Sequence, residues 1–241
     1  MAATYVAGSR GTANAIASSI VCTPGILTSG GSAQATTSGN VLLNFASAYN
    51  QANAAIDITG ATATGATFTE DETITMSGIT RWQLSAFYAQ NITGQSSHGI
   101  TTSFDAAAFA NVICAEISGA HTSTALNADN SATGVSTNPS GAAITPTSDG
   151  LHVFAVFHND TGAFTAGSGW TEAHQETPDG SIRMGLYYRT AANGVSQTPA
   201  VTQAVSAAWA ILHVVIADAA GGGGGSTGPI LTLRNVRARA A

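Results

Sequence analysis

The chain has 241 residues and a net charge of −6, and charged residues make up only 8% of it. That length is enough to bury a full core, and the weakly acidic balance excludes a nucleic-acid binder, which needs a basic stripe to neutralise phosphates. No run reaches the ~18 apolar residues of a membrane-spanning helix, so no membrane insertion is expected.

All seven basic residues are Arg, and Lys is absent. Polarity comes instead from Ser, Thr, Asn and Gln, which suits a protein packed in an assembly or living outside cells. Charge is unevenly placed. Residues 1–220 hold four Arg against all 13 acids, giving −9, while residues 221–241 hold three Arg and no acid, giving +3.

The start, MAATYVAGSRGTANAIASSIV, lacks the basic beginning and apolar core of a signal peptide. Strands are expected around Thr4–Val6 and Ala15–Cys22, with Met1 to Ala7 either closing the fold or swapping onto a neighbour. A Gly/Ser/Thr stretch over 28–40 leads into the body of the chain.

From Gly39 to Ala120, short apolar β-formers alternate with turn residues (VLLNFASAYN, ITRWQLSAFYAQ, AAAFANVICAEISGA), and the same grammar returns from Gly150 to Ala220 (LHVFAVF, SIRMGLYYRT, AAWAILHVVIADAA). Phe45 aligns with Phe154, Phe68 with Trp170, the pair Phe87-Tyr88 with Tyr187-Tyr188, and Phe109 with Trp209. Each half supplies about four strands, too few to close a core alone. The reading is therefore all-β: a single β-sandwich over 1–220, built from similar halves 39–120 and 150–220 packed face to face. The run Trp209 to Ala217 is the most apolar and reads as a strand buried on both faces.

Residues 121–150 read as a long polar bridge between the halves, with Ala142–Thr145 as a short edge strand. Gly221 to Gly225 opens a glycine-rich linker over 221–229, and the tail 230–241 follows. In ILTLRNVRA the alternation predicts a tethered strand that adds to a sheet edge, with Ile230, Leu231, Leu233, Arg234, Val236, Arg237 and Arg239 forming an assembly tail.

No catalytic motif is present: there is no G-x-S-x-G, H-E-x-x-H, P-loop or C-x-x-C. His152 and His158 lie six apart on one strand and share a face, which His213 can join, but satisfied or exposed histidines are the commoner use and neither a metal nor a cofactor is expected. Asn127, Asp129 and Asn130 offer oxygen ligands of the kind Ca²⁺ takes, at a spacing that fits no calcium loop. Glu70, Asp71, Glu72, Glu172 and Glu176 read as solvated turn charges rather than a glycosidase pair. Cys22 and Cys114 fall in apolar runs and read as buried free thiols. Trp82 is the aromatic best suited to an exposed sugar-stacking role, with loop amides at Asn127, Asp129 and Asn130 as its helpers. Of the adjacent Tyr187 and Tyr188, one belongs to the core and the other to a surface.

The turn Gly167 to Thr171, the strand Arg183 to Tyr188, the Asn193-Gly194 turn and the closing Ala207 to Ala210 resemble the jelly-roll β-sandwich modules of tailed-phage virion proteins and some bacterial surface proteins. The resemblance covers residues 1–220 and carries over no catalytic residue. It implies a non-enzymatic virion structural protein, a capsid decoration or a tail or fibre component. Its expected partners are other copies of itself and other virion proteins, with the protein made in the host cytoplasm. The alternative is a carbohydrate-binding or host-adhesion module whose partner is a host surface glycan.

Overall fold

A computed structural model describes residues 1–28, 30–50, 54–76, 82–176 and 182–219. The tail expected to anchor the protein lies outside these residues. Among the described residues all the regular structure is β. The first half holds β1 (Thr4–Tyr5), β2 (Gly11–Cys22), the short hairpin β3 (Ile26–Leu27) and β4 (Gly30–Gly31), β5 (Val41–Tyr49), β6 (Ile58–Thr62), β7 (Thr69–Thr75), β8 (Trp82–Ala89) and β9 (Ile100–Ser118). The second holds β10 (Leu126–Ser136), β11 (Gly150–His158), β12 (Phe164–Ala166), β13 (Thr171–Gln175), β14 (Arg183–Ala191), β15 (Val201–Gln203) and β16 (Ala207–Ala217).

Each half forms its own antiparallel sheet, and the two sheets face each other. Alternation along the strands explains the packing. Leu43 and Phe45 of β5, Leu84 of β8 and Ile113 of β9 point inward to meet Val153, Phe157, Leu186 and Leu212 in one central core. Fully burying a side chain of this size contributes roughly 1.5–3 kcal/mol, so these residues dominate the cohesion between sheets. The expected sandwich of two similar halves is what forms.

The halves are more alike than the sequence discloses. The strand order is β1/β2-β9-β5-β8-β7 in one sheet and β10-β16-β11-β14-β13 in the other. Both read first, fifth, second, fourth, third. Strands two to five therefore run fifth-second-fourth-third, which differs from the 4-1-2-3 order of the Greek keys in a jelly roll. Even an irregularity is duplicated: the hairpin pairing shifts between Glu70 and Glu72 in one half and between Glu172 and His174 in the other.

Two expectations are corrected. The bridge over 121–150 contains β10, an 11-residue strand along β16 that is equivalent to β1 and β2 along β9. Ala142–Thr145 contributes only an isolated bridge, from Ile144 to Gln197. The alignment is also one residue out of step in two strands. Phe45 lies opposite Ala86, and the residue opposite the equivalent Leu186 is Ala155, not Phe154. A one-residue slip sends a side chain to the other face. Phe45 accordingly fills the central core, whereas Phe154 points outward.

Both outer faces are covered, each in its own way. In the first sheet β9 bends, and its Ile100–Ser103 end pairs with Ser19–Cys22 on one side and β6 on the other. This ribbon folds back to lay Ile20, Ile58, Ile100 and Phe104 over Leu42, Ala46 and Phe87. In the second sheet the two-stranded ribbon of β12 and β15 covers Phe154, Tyr187, Trp209 and Ile211.

Candidate functional site

Two clefts occupy equivalent places in the two halves. The first, of about 390 Å³, is lined by Thr67, Thr69, Tyr88 and Gln90 on one side and by Thr122 and Ser123 on the other. The second, of about 290 Å³, is lined by Gly169, Thr171, Tyr188 and Thr190, facing Thr4 and Tyr5. The equivalence is fixed by register, since Thr69 pairs with Tyr88 as Thr171 pairs with Tyr188. Each cleft is closed by the segment at the start of a half: residues 122–123 just before β10, and β1 itself.

The walls are held differently. In the first cleft the Gln90 amide donates to the Ser123 carbonyl at 3.0 Å and accepts from the Ala125 N–H at 2.9 Å. In the second, Tyr5 stacks on Tyr188, and burial followed by the opposing pull of Arg10 leaves the Tyr5 phenol pushed up to about 12. Gly169 adopts a φ of 78°, and a Cβ there would meet the Arg189 guanidinium at 3.2 Å. That guanidinium sits 5.5 Å from the centroid of Trp170. The first cleft thus offers neutral hydroxyls and amides beside one tyrosine ring, and the second offers threonine hydroxyls, two tyrosine rings and the Arg189 guanidinium.

The histidines expected to share a face do so, but under the outer cover of the second sheet rather than at the surface. His152 Nδ1 and His213 Nε2 are 2.9 Å apart, so one ring donates to the other. Burial depresses both, to about 4 for His152 and about 3 for His213; Arg189 adds to the first and His152 to the second. His158 instead pairs with the Gln203 side chain at 2.6 Å. Among the described residues no three metal-binding side chains come together.

The acids divide. Glu70, Asp71 and Glu72 lie within β7, at the sheet edge that faces β10, where the Ser131 hydroxyl donates to Glu72. Burial, then Asp129, then Glu72 raise the Asp71 carboxyl to about 7. Glu172 is in β13 and accepts from the Gln175 amide at 2.6 Å. Glu176, expected as a solvated turn charge, is fully buried. It accepts from the Thr28 hydroxyl and lies 3.7 Å from His174. Burial alone would raise its pKa, but the hydrogen bonds from His174, Thr28 and Thr12 outweigh that and lower it.

Trp82 is not a surface residue. It is buried in the central core, with its ring 4.5 Å from Tyr49 and 5.4 Å from Phe157, centroid to centroid, because its strand position faces inward. Asn127, Asp129 and Asn130 lie on β10, away from any loop tip. The Asn127 amide donates to Thr147 at 3.0 Å and to Ser148 at 2.9 Å, tying β10 to the segment after it. Asn130 accepts from the Ser131 N–H at 2.8 Å. The four residues therefore do not assemble into one site. Sequence reasoning missed both clefts. Their one legible signal was the adjacent tyrosine pair, of which Tyr187 is core and Tyr188 faces the second cleft.

Comparison with protein-family models, with curated proteins and with solved structures finds no match to this chain.

Proposed function

We propose that the protein is a non-enzymatic structural component of a bacteriophage virion, a capsid decoration or a tail or fibre part, that assembles with copies of itself and with other virion proteins. The observation that carries this reading is a pair of equivalent sheet edges, each strand hydrogen-bonded into its sheet on one side only. Among the described residues β2 pairs only with β9 and β10 only with β16. Ile16 and Val135 hold the same place on these two strands, opposite Phe109 and Ala208, and are 60% and 63% exposed. Soluble monomers blunt such edges with Lys, Pro or inward charges; β2 carries no charged residue or proline, and β10 carries Asp129 alone. Two like edges on one body suit repeated lateral contacts. The basic tail beyond Gly225, expected from its sequence to add to a sheet edge, would supply a third contact, drawn toward the acidic body. A non-enzymatic reading is supported by the use of several titratable groups: His152, His158 and His213 are buried under a cover and Glu176 is hydrogen-bonded internally.

The test is the solution mass of the full chain against a chain ending at Ala220. The reading expects an oligomer for the full chain and a smaller species for the shortened one, with equal thermal stability. Two stable monomers would remove it.

A second reading, a carbohydrate-binding or host-adhesion module, is favoured by the twin clefts. Hydroxyls, amides and a tyrosine ring are the groups that bind sugars, and two equivalent sites would act together through avidity. A Tyr88→Ala and Tyr188→Ala double variant should then lose glycan-array binding by more than the product of the single losses. An array silent for the unaltered protein would remove this reading and leave the first intact.

A further inference from the structure

We propose that Cys22 and Cys114 form an intramolecular disulfide that clamps the folded-back ribbon onto the first sheet. Both are free thiols in the structure, and both are completely buried. They are 92 residues apart and are not register partners: Cys22 pairs with Ile100, and Cys114 with Gly11. They meet only because the end of β2 turns back over the outer face of its own sheet. Their sulfur atoms are then 2.7 Å apart. That lies well inside the roughly 3.5–4 Å of comfortable non-bonded contact, and the S–S bond itself is about 2.05 Å.

The neighbourhood is shaped for this approach. A Cβ on Gly11 would lie 2.1 Å from the Thr23 carbonyl oxygen and 2.8 Å from the Cys114 sulfur, so only glycine lets the two ends of β2 pass. The Arg10 carbonyl accepts from the Gly25 N–H at 3.0 Å and holds the return. Gly99 and Ile20 complete the turn-back, and Val112 offers its carbonyl to the Cys22 sulfur at 3.9 Å.

The chemistry needs a disulfide oxidant such as glutathione disulfide. One cysteine thiolate attacks it, forming a mixed disulfide and releasing one glutathione thiol. The second cysteine, as thiolate, then attacks the protein sulfur of that mixed disulfide, forming the S–S bond and releasing the other glutathione. Two protein thiols are oxidised, one glutathione disulfide is reduced to two thiols, and two protons pass through solvent. Burial, reinforced by the hydrogen bond with Cys114, pushes the Cys22 thiol well up. A closed ribbon therefore disfavours the thiolate, and oxidation takes place while the ribbon is open, during folding.

The experiment refolds the full chain with either glutathione disulfide or excess dithiothreitol, then denatures it and alkylates it without reduction. The inference expects the oxidised sample to be a monomer lighter by two hydrogens, with no alkylated cysteine. It expects two alkylated cysteines in the reduced sample. The oxidised protein should melt roughly 4–16 °C higher, from the usual disulfide contribution spread over a chain of this size. Cys22→Ala and Cys114→Ala variants should melt alike under both conditions. Two alkylatable thiols in oxidised wild type that has refolded to a cooperative melt would overturn the inference. So would glutathione adducts on both cysteines, or cross-links only between chains. Because mass and alkylation are read on the wild-type chain, failure of either variant to fold leaves the test decisive.

Discussion

Tyr5 and Tyr188 lie face to face, with ring centroids 4.6 Å apart and planes 12° apart. One belongs to the first strand of the first half and the other to the fourth strand of the second, so the stack joins the two sheets at the mouth of a cleft. Tyr5 is buried. Tyr5→Ala should destabilise the fold by roughly 3 kcal/mol, through lost burial and the lost ring pair. Urea denaturation measures this. A change below about 0.5 kcal/mol would mean that β1 is peripheral to the sandwich.

Trp82→Ala should cost about 3–5 kcal/mol, the usual range for emptying a large aromatic site in a core. Its indole packs against Tyr49 and Phe157, and Phe157 comes from the opposite sheet. Trp82→Phe should recover more than half of the loss. Guanidinium melts of the three proteins decide it; a near-neutral alanine variant would place the ring outside the core.

Ile16→Lys and Val135→Lys should each weaken self-association while leaving the melting temperature within about 2 °C, because both side chains are mostly exposed. The double variant should be the more soluble and the less associated. Sedimentation velocity across a concentration series reads the outcome. Unchanged association in the double variant would show that the lateral contacts lie elsewhere.

Acid should loosen the second half through its histidine pair. In the folded chain burial holds His152 at about 4 and His213 at about 3, below the ~6.5 of an unfolded histidine. Between those values the unfolded chain binds more protons. Stability is thus complete above ~6.5 and falls as pH drops toward the folded values. A His152→Phe and His213→Phe double variant should have a shallower loss over that window. Asp71 has the opposite sign. Its folded value of about 7 exceeds the ordinary 3.8, so its contribution is complete below 3.8 and is lost as pH rises through about 7. Asp71→Asn should accordingly melt higher than the parent at about pH 8 and match it near pH 3. Thermal melts over a pH series test both signs.

The sandwich and its duplication were legible because short runs of apolar β-formers, such as Val41 to Phe45 and Leu151 to Phe157, are separated by turn residues in both halves. β10 was not legible: Asn127 to Gly134 are small or polar, since this edge strand buries little, and the pattern reads as loop. The slip between Phe45 and Phe154 has a related cause. Both faces of β5 and β11 are covered, so apolar residues occur at successive positions and the parity of the alternation is lost. The cysteine pair and the twin clefts depend on a bend in β9 and on segments that arrive from the far end of the chain. Neither leaves a local signature.

The first-fifth-second-fourth-third order also dictates when the protein can begin to fold. During synthesis β1 and β2 emerge first, yet their partner, β9, is not complete until Ser118. At about 5–20 residues per second, these opening strands wait on the order of 5–20 s on the ribosome with their backbone edges bare. The second half repeats the delay, β10 waiting for β16. Each sheet therefore closes only when its last strand is delivered, and until then the opening strand of each half stays unpaired and exposed to chaperones and to other nascent copies.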